Sequence, residues 1–180
     1  MVGRGKLAYT ELTVNVRLLP IEPDLAEALR MGPEHFRQRY GVSVAAEGAP
    51  LLRGVVEQTL SMYPGVQHDA RWGGYLAVDE VSGLVVGSCA FKGPPLEDGT
   101  VEIAYYTFGR YEGRGYAKGM ARALISVALS SRLVRRVIAH TLPKRNPSTS
   151  VLRRAGMSFV GEIRDPEDGL VWRWQLESGD

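Results

Sequence analysis

The stretch FGRYEGRGYAKGMA, residues 108–121, joins a strand-like run to a helical pattern, and it decides how the rest of the chain is interpreted. The preceding run, VEIAYYTF at 101–108, has the β-branched and aromatic composition of a strand. From Ala117 to Leu129, apolar residues recur at i, i+3, i+4 and i+7, which predicts a long helix with one buried face. Two glycines therefore lie where a helix begins.

A glycine-rich turn at a helix N-terminus suits a phosphate group. The first N–H groups of a helix are unpaired and carry a partial positive charge, and glycine lets the backbone approach a ligand closely. Arg114 and Lys118 add positive charge. The P-loop motif G-x-x-x-x-G-K-[ST] is absent, and Lys118 stands where the dinucleotide fingerprint G-x-G-x-x-G needs its third glycine. The turn thus predicts a phosphate cradle of another kind, or else a plain turn.

On either side of this turn the sequence predicts further strands and one short helix. The run 73–91 contains two strands around a polar turn, and together with the run at 101–108 it predicts an antiparallel meander. Downstream we expect a strand, a short helix and two final strands, at 133–141, 147–155, 157–164 and 169–177.

The N-terminal third predicts one strand followed by helices. Alternation of apolar and polar residues at 11–19 indicates a half-buried strand that Pro20 ends. Helical segments follow from Asp24, as N-cap, to Tyr40, with a break near Gly32. We then expect a loop at 43–49 and an amphipathic helix at 50–62 that is stopped by Pro64 and Gly65.

Composition narrows the class of protein. A chain of 180 residues that is 44% hydrophobic predicts a single domain over 1–180. No apolar run approaches the ~20 residues of a membrane span, and the opening MVGRGKLAYT lacks signal-peptide character, so we expect a cytoplasmic protein with no membrane partner. One cysteine, Cys89, and three scattered histidines (His35, His68, His140) predict no metal site.

Charge is distributed unevenly along the chain. Residues 108–154 carry 11 lysines and arginines against one acid, Glu112, so this segment has a net charge of +10 while the remainder has −8. The basic segment predicts contact with an anion, or else a solvated arginine-rich surface.

Three motifs in order resemble those of the GNAT superfamily of N-acetyltransferases. In that family a Q/R-x-x-G-x-G/A turn after the fourth strand holds the diphosphate of acetyl-CoA, and residues 112–117 match it with glutamate at the first position. VEIAYY resembles the preceding strand, and TLPKRNPSTSVLRRAGM at 141–157 resembles the family's N-x-S-…-V-L-…-G-[FM] segment. The resemblance covers about 74–176 and is closest to the branch that includes the N-terminal acetyltransferases of ribosomal proteins.

This resemblance implies both a fold and an activity. The fold is α+β, a single GNAT-like domain with a mixed, mostly antiparallel central sheet of about seven strands flanked by helices on both faces. The acetyl-CoA-binding core would span about 73–177 and the acceptor-side helices about 20–72. Acetyl-CoA would be the co-substrate, without a metal, and the acetyl group would pass directly to a primary amine of a protein or peptide N-terminus or of a small molecule.

The resemblance also assigns residues to roles. Glu102 would be the general base, acting through water, and Ser148 would protonate the departing thiolate. The cofactor-binding residues would be Tyr106, Thr107, Glu112, Gly113, Arg114, Gly115, Tyr116, Ala117 and Asn146. We expect the carboxylate of Glu112 to point away from the phosphates or to pair with Arg110 or Arg114.

Each catalytic assignment has an alternative. Glu102 also fits an exposed strand residue, and Asn146 with Ser148 fits the capped first turn of a helix. Tyr105, Tyr106 and Tyr116 are alternative proton donors. A lone strand histidine such as His140 is typically a packed or surface residue, although it is another possible proton relay.

Two other functions fit parts of the sequence. A non-catalytic acyl-CoA-binding sensor would retain the cofactor without turnover. A nucleic-acid-binding module would use the basic segment, but no aromatic interleaving or recognition-helix motif supports it, so we expect no nucleic-acid partner. Members of the family that the chain resembles are often monomers or dimers, so we expect either a monomer or a homodimer.

Overall fold

The computed structural model describes residues 14–63 and 69–179, and within them it contains seven strands and five α-helices. The strands are β1 (Val16–Pro20), β2 (Gly74–Asp79), β3 (Val85–Phe91), β4 (Thr100–Thr107), β5 (Arg136–Thr141), β6 (Ser158–Asp165) and β7 (Gly169–Glu177). The helices are α1 (Pro23–Met31), α2 (Pro33–Tyr40), α3 (Ala49–Ser61), α4 (Tyr116–Leu129) and α5 (Pro147–Arg154).

All seven strands form one mixed sheet in the order β1-β2-β3-β4-β5-β7-β6. Every neighbouring pair is antiparallel except β4 and β5, which are parallel. The predicted meander, the long helix and the two C-terminal strands are all present, so the predicted α+β fold class is confirmed.

The parallel pair separates after a short contact. β4 and β5 are in register only at Thr100↔Arg136, Val101↔Val137 and Glu102↔Ile138. Beyond Glu102, β4 continues to Thr107 while paired with β3 on its other side, and β5 continues to Thr141 while paired with β7. The sheet therefore opens into a V whose vertex lies at Glu102.

Helices cover both faces of the sheet. A Cβ on Gly74 of β2 would meet the side chain of Thr59 in α3 at 2.5 Å, so α3 packs closely on that face. A Cβ on Gly87 of β3 would lie 3.2 Å from Met120 in α4, and Gly87 pairs with Ala77 of β2. Residues 74 and 77 of one strand point to opposite faces, so α3 and α4 lie on opposite sides.

The core forms between these layers. Its largest fully buried side chains include Phe36, Leu52, Leu76, Leu124 and Leu152, contributed by helices from both faces and by the sheet. Trp72 and Trp174 are buried, whereas Trp172 is half-buried beside Phe159. Cys89 is buried, and this burial raises the pKa of its thiol, so it remains an unreactive apolar side chain.

The N-terminal predictions need correction at several boundaries. Residues 11–13 lie outside the described range, and β1 begins at Val16 and includes Pro20. The N-cap of α1 is Glu22, so the prediction of Asp24 was wrong: Pro23 occupies the first helical position because its fixed φ suits it. The predicted loop at 43–49 contains a short 3₁₀ turn at Ala46–Gly48 that leads directly into α3. Pro64, Gly65 and His68 lie outside the described residues.

Candidate active site

The turn between β4 and α4 has the geometry of an anion cradle. Gly113 and Gly115 adopt φ values of 73° and 91°, which favour glycine over other residues. Gly115 is the N-cap of α4 and makes no side-chain cap hydrogen bond. At α5, by contrast, the side-chain oxygen of Asn146 accepts from the Thr149 N–H at 3.1 Å and completes a capping box. The first turn of α4 therefore lacks the side-chain cap that closes α5.

Aromatic and arginine side chains pack beside the turn that contains Gly113 and Gly115. The ring of Tyr111 meets Tyr116 edge-on at a centroid distance of 6.0 Å, and the guanidinium of Arg110 lies over Tyr111. Arg110 forms an ion pair with Glu47, which lies in the short 3₁₀ turn before α3. Glu112 was expected to point away from the phosphates or to pair with Arg110 or Arg114; Arg110 pairs with Glu47 instead, and the exposed Glu112 side chain lies at the edge of the cavity that extends from this turn.

A cavity of about 940 Å³ extends from the cradle into the V between β4 and β5. Of the residues assigned from the family pattern, it is lined by Tyr106, Thr107, Glu112, Gly113, Gly115, Tyr116, Ala117, Asn146 and Ser148. Arg114 is exposed and does not line it, although the sequence placed its charge beside the turn. Lys118 does line it and is only 7% exposed, and Arg154 of α5 lines it as well.

Two buried hydroxyl groups at this cavity have no hydrogen-bond partner among the described residues. They are the Oγ1 of Thr107 and the hydroxyl of Tyr111. A buried polar atom without a partner costs roughly 1–3 kcal/mol, so such atoms usually mark a ligand or water position. Together with the uncapped helix end and the glycine turn, they make the cavity fit a long ligand that carries a phosphate group and amide or carbonyl groups.

Replacing Thr107 with valine is expected to shift stability and ligand affinity in opposite directions. The change removes a buried hydroxyl without a partner, so the free energy of unfolding should increase by about 1 kcal/mol. The melting temperature should rise accordingly. If the hydroxyl bonds to acetyl-CoA, calorimetry should show roughly 10-fold weaker binding.

Thr141→Val is the matched control. The Oγ1 of Thr141 accepts from the indole N–H of Trp174 at 3.2 Å, so this variant should lose stability. If Thr107→Val also loses stability, its hydroxyl has a partner and the assignment is wrong.

A second, polar cavity of about 210 Å³ lies at the vertex of the V. It is lined by Glu102 of β4, Lys92 of the β3–β4 loop and Asp168 of the β6–β7 turn. Tyr105, His140 and Ser148 line both cavities, so the two spaces adjoin. Strand rise places Glu102 about 16 Å from Thr107, so the cradle and Glu102 stand at opposite ends of the combined space.

Glu102 is the centre of a polar network at this vertex. Its Oε1 accepts from the Nζ of Lys92 at 2.8 Å and lies 3.0 Å from the Nδ1 of His140. The Nε of Arg173 donates to the Nε2 of His140 at 3.0 Å. Because an arginine can only donate, Nε2 accepts, and a neutral His140 ring carries its proton on Nδ1 and donates it to Glu102. The Glu102 side chain is 18% exposed, so it is not the exposed strand residue of the alternative interpretation.

Sequence reasoning missed most of this network. Lys92 and Arg173 were not considered, and His140 was expected to be an isolated packed or surface residue. The sheet register brings His140 opposite Arg173, and the pairing of Glu102 with Ile138, two residues before His140, brings His140 to Glu102. The only local signal available was polar residues in otherwise apolar strands.

Candidate proton donors differ in their surroundings. Burial raises the pKa of Tyr105 to about 12, so its hydroxyl stays protonated at neutral pH, and it makes only a long contact of 3.5 Å with the Ser148 carbonyl oxygen. Tyr106 is 51% exposed and packs against Phe108. Tyr116 lies near Asp79, away from the vertex; burial is the main cause of its raised pKa, and Asp79 adds to it. Of the candidate hydroxyl donors, Tyr105 and Ser148 are thus the two that line both cavities.

Residues 14–63 and 69–179 contain neither a metal-binding cluster nor a membrane-spanning helix. No group of three or more histidine, cysteine, aspartate or glutamate side chains in these ranges is arranged to hold a metal ion. No helix in the same ranges is long and apolar enough to cross a bilayer.

A family model for the acetyltransferase (GNAT) domain matches residues 15–158, so the chain belongs to the GNAT acetyltransferase family. Among curated proteins, it is 30% identical over 83 residues to the uncharacterized N-acetyltransferase p20 of Bacillus licheniformis, covering 46% of this chain and 47% of p20. The alignments span about half the length of the curated relatives that the chain matches.

Solved structures share the whole fold. The ribosomal L7/L12 alpha-N-protein acetyltransferase RimL, in complex with coenzyme A, superposes with a TM-score of 0.59 at 16% identity, covering 92% of this chain and 96% of that one. The aminoglycoside acetyltransferase AAC(6')-Ib, in complex with coenzyme A and kanamycin, gives 0.58 at 17% identity, covering 92% and 95%. At these identities the similarity establishes the fold and leaves the acceptor open.

Proposed function

We propose that this protein is an acetyl-CoA-dependent N-acetyltransferase that acetylates a primary amine. The supporting observation is a pair of neighbouring cavities: the larger is lined by the glycine cradle and the open side of β4, the smaller is lined by Glu102, and Tyr105, His140 and Ser148 line both. The pair joins a site for a phosphate-bearing thioester to a carboxylate that can receive a proton.

The residues of the large cavity would hold acetyl-CoA. Backbone N–H groups at Gly113, Gly115 and the start of α4 would bind the diphosphate, with Lys118 and Arg154 near it. The unpaired edge of β4 at Tyr106 and Thr107 would bind the pantetheine arm as an added strand does. When bound, acetyl-CoA supplies an activated acetyl group for transfer to nitrogen.

The residues of the vertex would handle protons. Glu102 would accept a proton from the incoming ammonium, directly or through water, while Lys92 and His140 fix its carboxylate in place. Ser148 or Tyr105, which face both cavities, would supply the proton that the departing sulfur needs. Asn146 already uses its amide oxygen as a helix cap, so a cofactor contact there would come from its amide nitrogen.

The acceptor would be a small-molecule or peptide amine. RimL carries a ribosomal-protein acetyltransferase name and AAC(6')-Ib was solved with kanamycin, so both classes of amine occur on this fold. The carboxylates of Glu102 and Asp168 beside the smaller cavity favour a cationic acceptor.

A thiol-release assay tests the proposal. Purified protein is mixed with acetyl-CoA and with a panel of ribosomal-protein N-terminal peptides, amino acids, polyamines and aminoglycosides, and acetyl-CoA binding is measured by calorimetry in parallel. We expect binding together with thiol release above the acceptor-free rate for at least one class. Binding without release on any amine would favour the acyl-CoA sensor, and absence of binding would contradict both functions.

A further inference from the structure

The vertex cavity already contains a primary amine from the chain itself. The Nζ of Lys92 lies 2.8 Å from Oε1 of Glu102 and 3.5 Å from Oδ2 of Asp168. The backbone N–H of Lys92 also donates to the Glu102 carbonyl at 2.9 Å, which fixes the lysine beside the glutamate. A primary amine held by the candidate base is the arrangement that an acceptor amine must reach before transfer.

This amine has access to the cofactor space. Lys92 lines the smaller cavity, which adjoins the large cavity through Tyr105, His140 and Ser148. Its side chain is 41% exposed and follows directly after β3, at the start of the loop KGPPLEDGT. Lys92 is therefore free of the close packing that immobilises core side chains, and its four-carbon chain can carry Nζ within the cavity.

The charge state of Lys92 matches that of an incoming acceptor. Burial alone would lower the pKa of Lys92, but the hydrogen bond and charge of Glu102, together with Asp168, outweigh burial and raise this pKa. The amine therefore rests as an ammonium ion and needs a base before it can attack, and Glu102 is the carboxylate in contact with it.

We propose that Lys92 is a self-acetylation site of this protein, which rests on the proposed acetyltransferase function. The Nζ of Lys92 forms a bond to the acetyl carbon of acetyl-CoA while the bond from that carbon to sulfur breaks. The ammonium loses two protons overall: one passes to solvent through Glu102, and the other restores the hydroxyl of Tyr105 or Ser148 that has protonated the departing sulfur. The products are acetyl-Lys92 and free coenzyme A.

Acetylation would also change the vertex. The amide of acetyl-Lys92 carries no charge, so Glu102 and Asp168 would lose the cation that now lies between them. The smaller cavity would then present the carboxylates of Glu102 and Asp168 without the charge of Lys92, which strengthens its attraction for a cationic acceptor. The competing explanation for the position of Lys92 is a plain ion pair that neutralises the two carboxylates and never accepts an acetyl group. The experiment must distinguish this ion pair from self-acetylation.

The chain offers internal controls because lysine occurs only at positions 6, 92, 118 and 144. The full-length protein is incubated with acetyl-CoA and no acceptor, and the acetylation of each lysine is followed by peptide mass spectrometry. Exposed Lys144 reports uncatalysed acetylation. We expect Lys92 to react at least about 10-fold faster than Lys144, at a fractional rate that does not depend on protein concentration, because the reaction is intramolecular.

Three variants, one of them a control, test the route. Glu102→Gln should reduce Lys92 acetylation to the rate of Lys144, whereas Glu97→Gln, an exposed glutamate in the same loop, should leave it unchanged. Lys92→Arg should remove the fast acetylation from the intact-protein mass. Lys118 is buried and should remain unmodified on this timescale.

The possible failures are distinguishable. If the protein acetylates an external amine but Lys92 reacts no faster than Lys144, self-acetylation is overturned and the proposed function stands. Self-acetylation through Glu102 is also overturned if Glu102→Gln leaves Lys92 acetylation unchanged in a folded protein. If acetyl-CoA does not bind by calorimetry, the proposed function fails first and self-acetylation fails with it.

Discussion

Replacing Glu102 with glutamine is expected to lower kcat by about 10²- to 10⁴-fold, the usual contribution of a positioned general base, and to leave the dissociation constant of acetyl-CoA nearly unchanged. Glutamine has the same shape and can still accept from Lys92 and His140, but it cannot take a proton. Because Glu102 lies at the vertex, far from the glycine cradle, cofactor binding should not respond to the change.

The measurement is a kcat and KM determination over a range of pH, with calorimetry for acetyl-CoA. Glu97→Gln is the matched control, since this exposed glutamate lies on the β3–β4 loop outside both cavities. Turnover by Glu102→Gln that equals the wild-type value at every pH would remove the base assignment, and a melting temperature close to wild type would show that the comparison concerns folded protein.

Glu102 is held by a network that can affect both proton transfer and the position of the acceptor, so kcat and KM report different roles. His140 holds the carboxylate through Nδ1, and Arg173 fixes the tautomer from the other side of the ring. A loss of kcat in Glu102→Gln with unchanged KM indicates a lost proton transfer, whereas a rise in KM alone indicates lost positioning of the acceptor.

The sequence predicted the parts of the site that depend on neighbours along the chain. The glycine turn, the start of α4 and the cap at Asn146 each follow from residues within one helical turn of one another, so periodicity and cap preferences were sufficient. The same is true of the meander, whose strands are joined by short turns. Asp24 was misplaced as a cap because Pro23 defines the helix start more strongly than an acidic side chain does.

The remaining part of the site depends on the register of the sheet. Lys92, Glu102, His140 and Arg173 come from the β3–β4 loop and from three strands, and only the pairing of β4 with β5 and of β5 with β7 brings them together. The separation of β4 from β5 after three paired residues is likewise a tertiary feature. Arg110 is a further example, because its ion pair with Glu47 joins segments more than sixty residues apart.

Gly115→Ala is expected to weaken acetyl-CoA binding by about 5- to 30-fold. The left-handed conformation of Gly115, with φ of 91°, costs a residue with a Cβ about 1–2 kcal/mol, and the added Cβ would also lie 3.3 Å from the side chain of Val14. The turn would relieve this strain by changing its backbone conformation, and binding of the diphosphate would have to restore the original conformation. Calorimetry with acetyl-CoA measures the loss directly.

Alanine variants of two other glycines of this segment distinguish the effect of backbone strain from the effect of contact between the added Cβ and a neighbouring atom. A Cβ on Gly113 would meet no atom within 4 Å, but its φ of 73° still disfavours alanine, so Gly113→Ala should show the strain without the contact and weaken binding by roughly 10-fold. Gly109 has neither a positive φ nor a neighbour within that distance, so Gly109→Ala should bind like wild type. If Gly109→Ala and Gly115→Ala bind acetyl-CoA equally well, the turn does not hold the diphosphate, and the acetyl-CoA site must be sought elsewhere on the molecule.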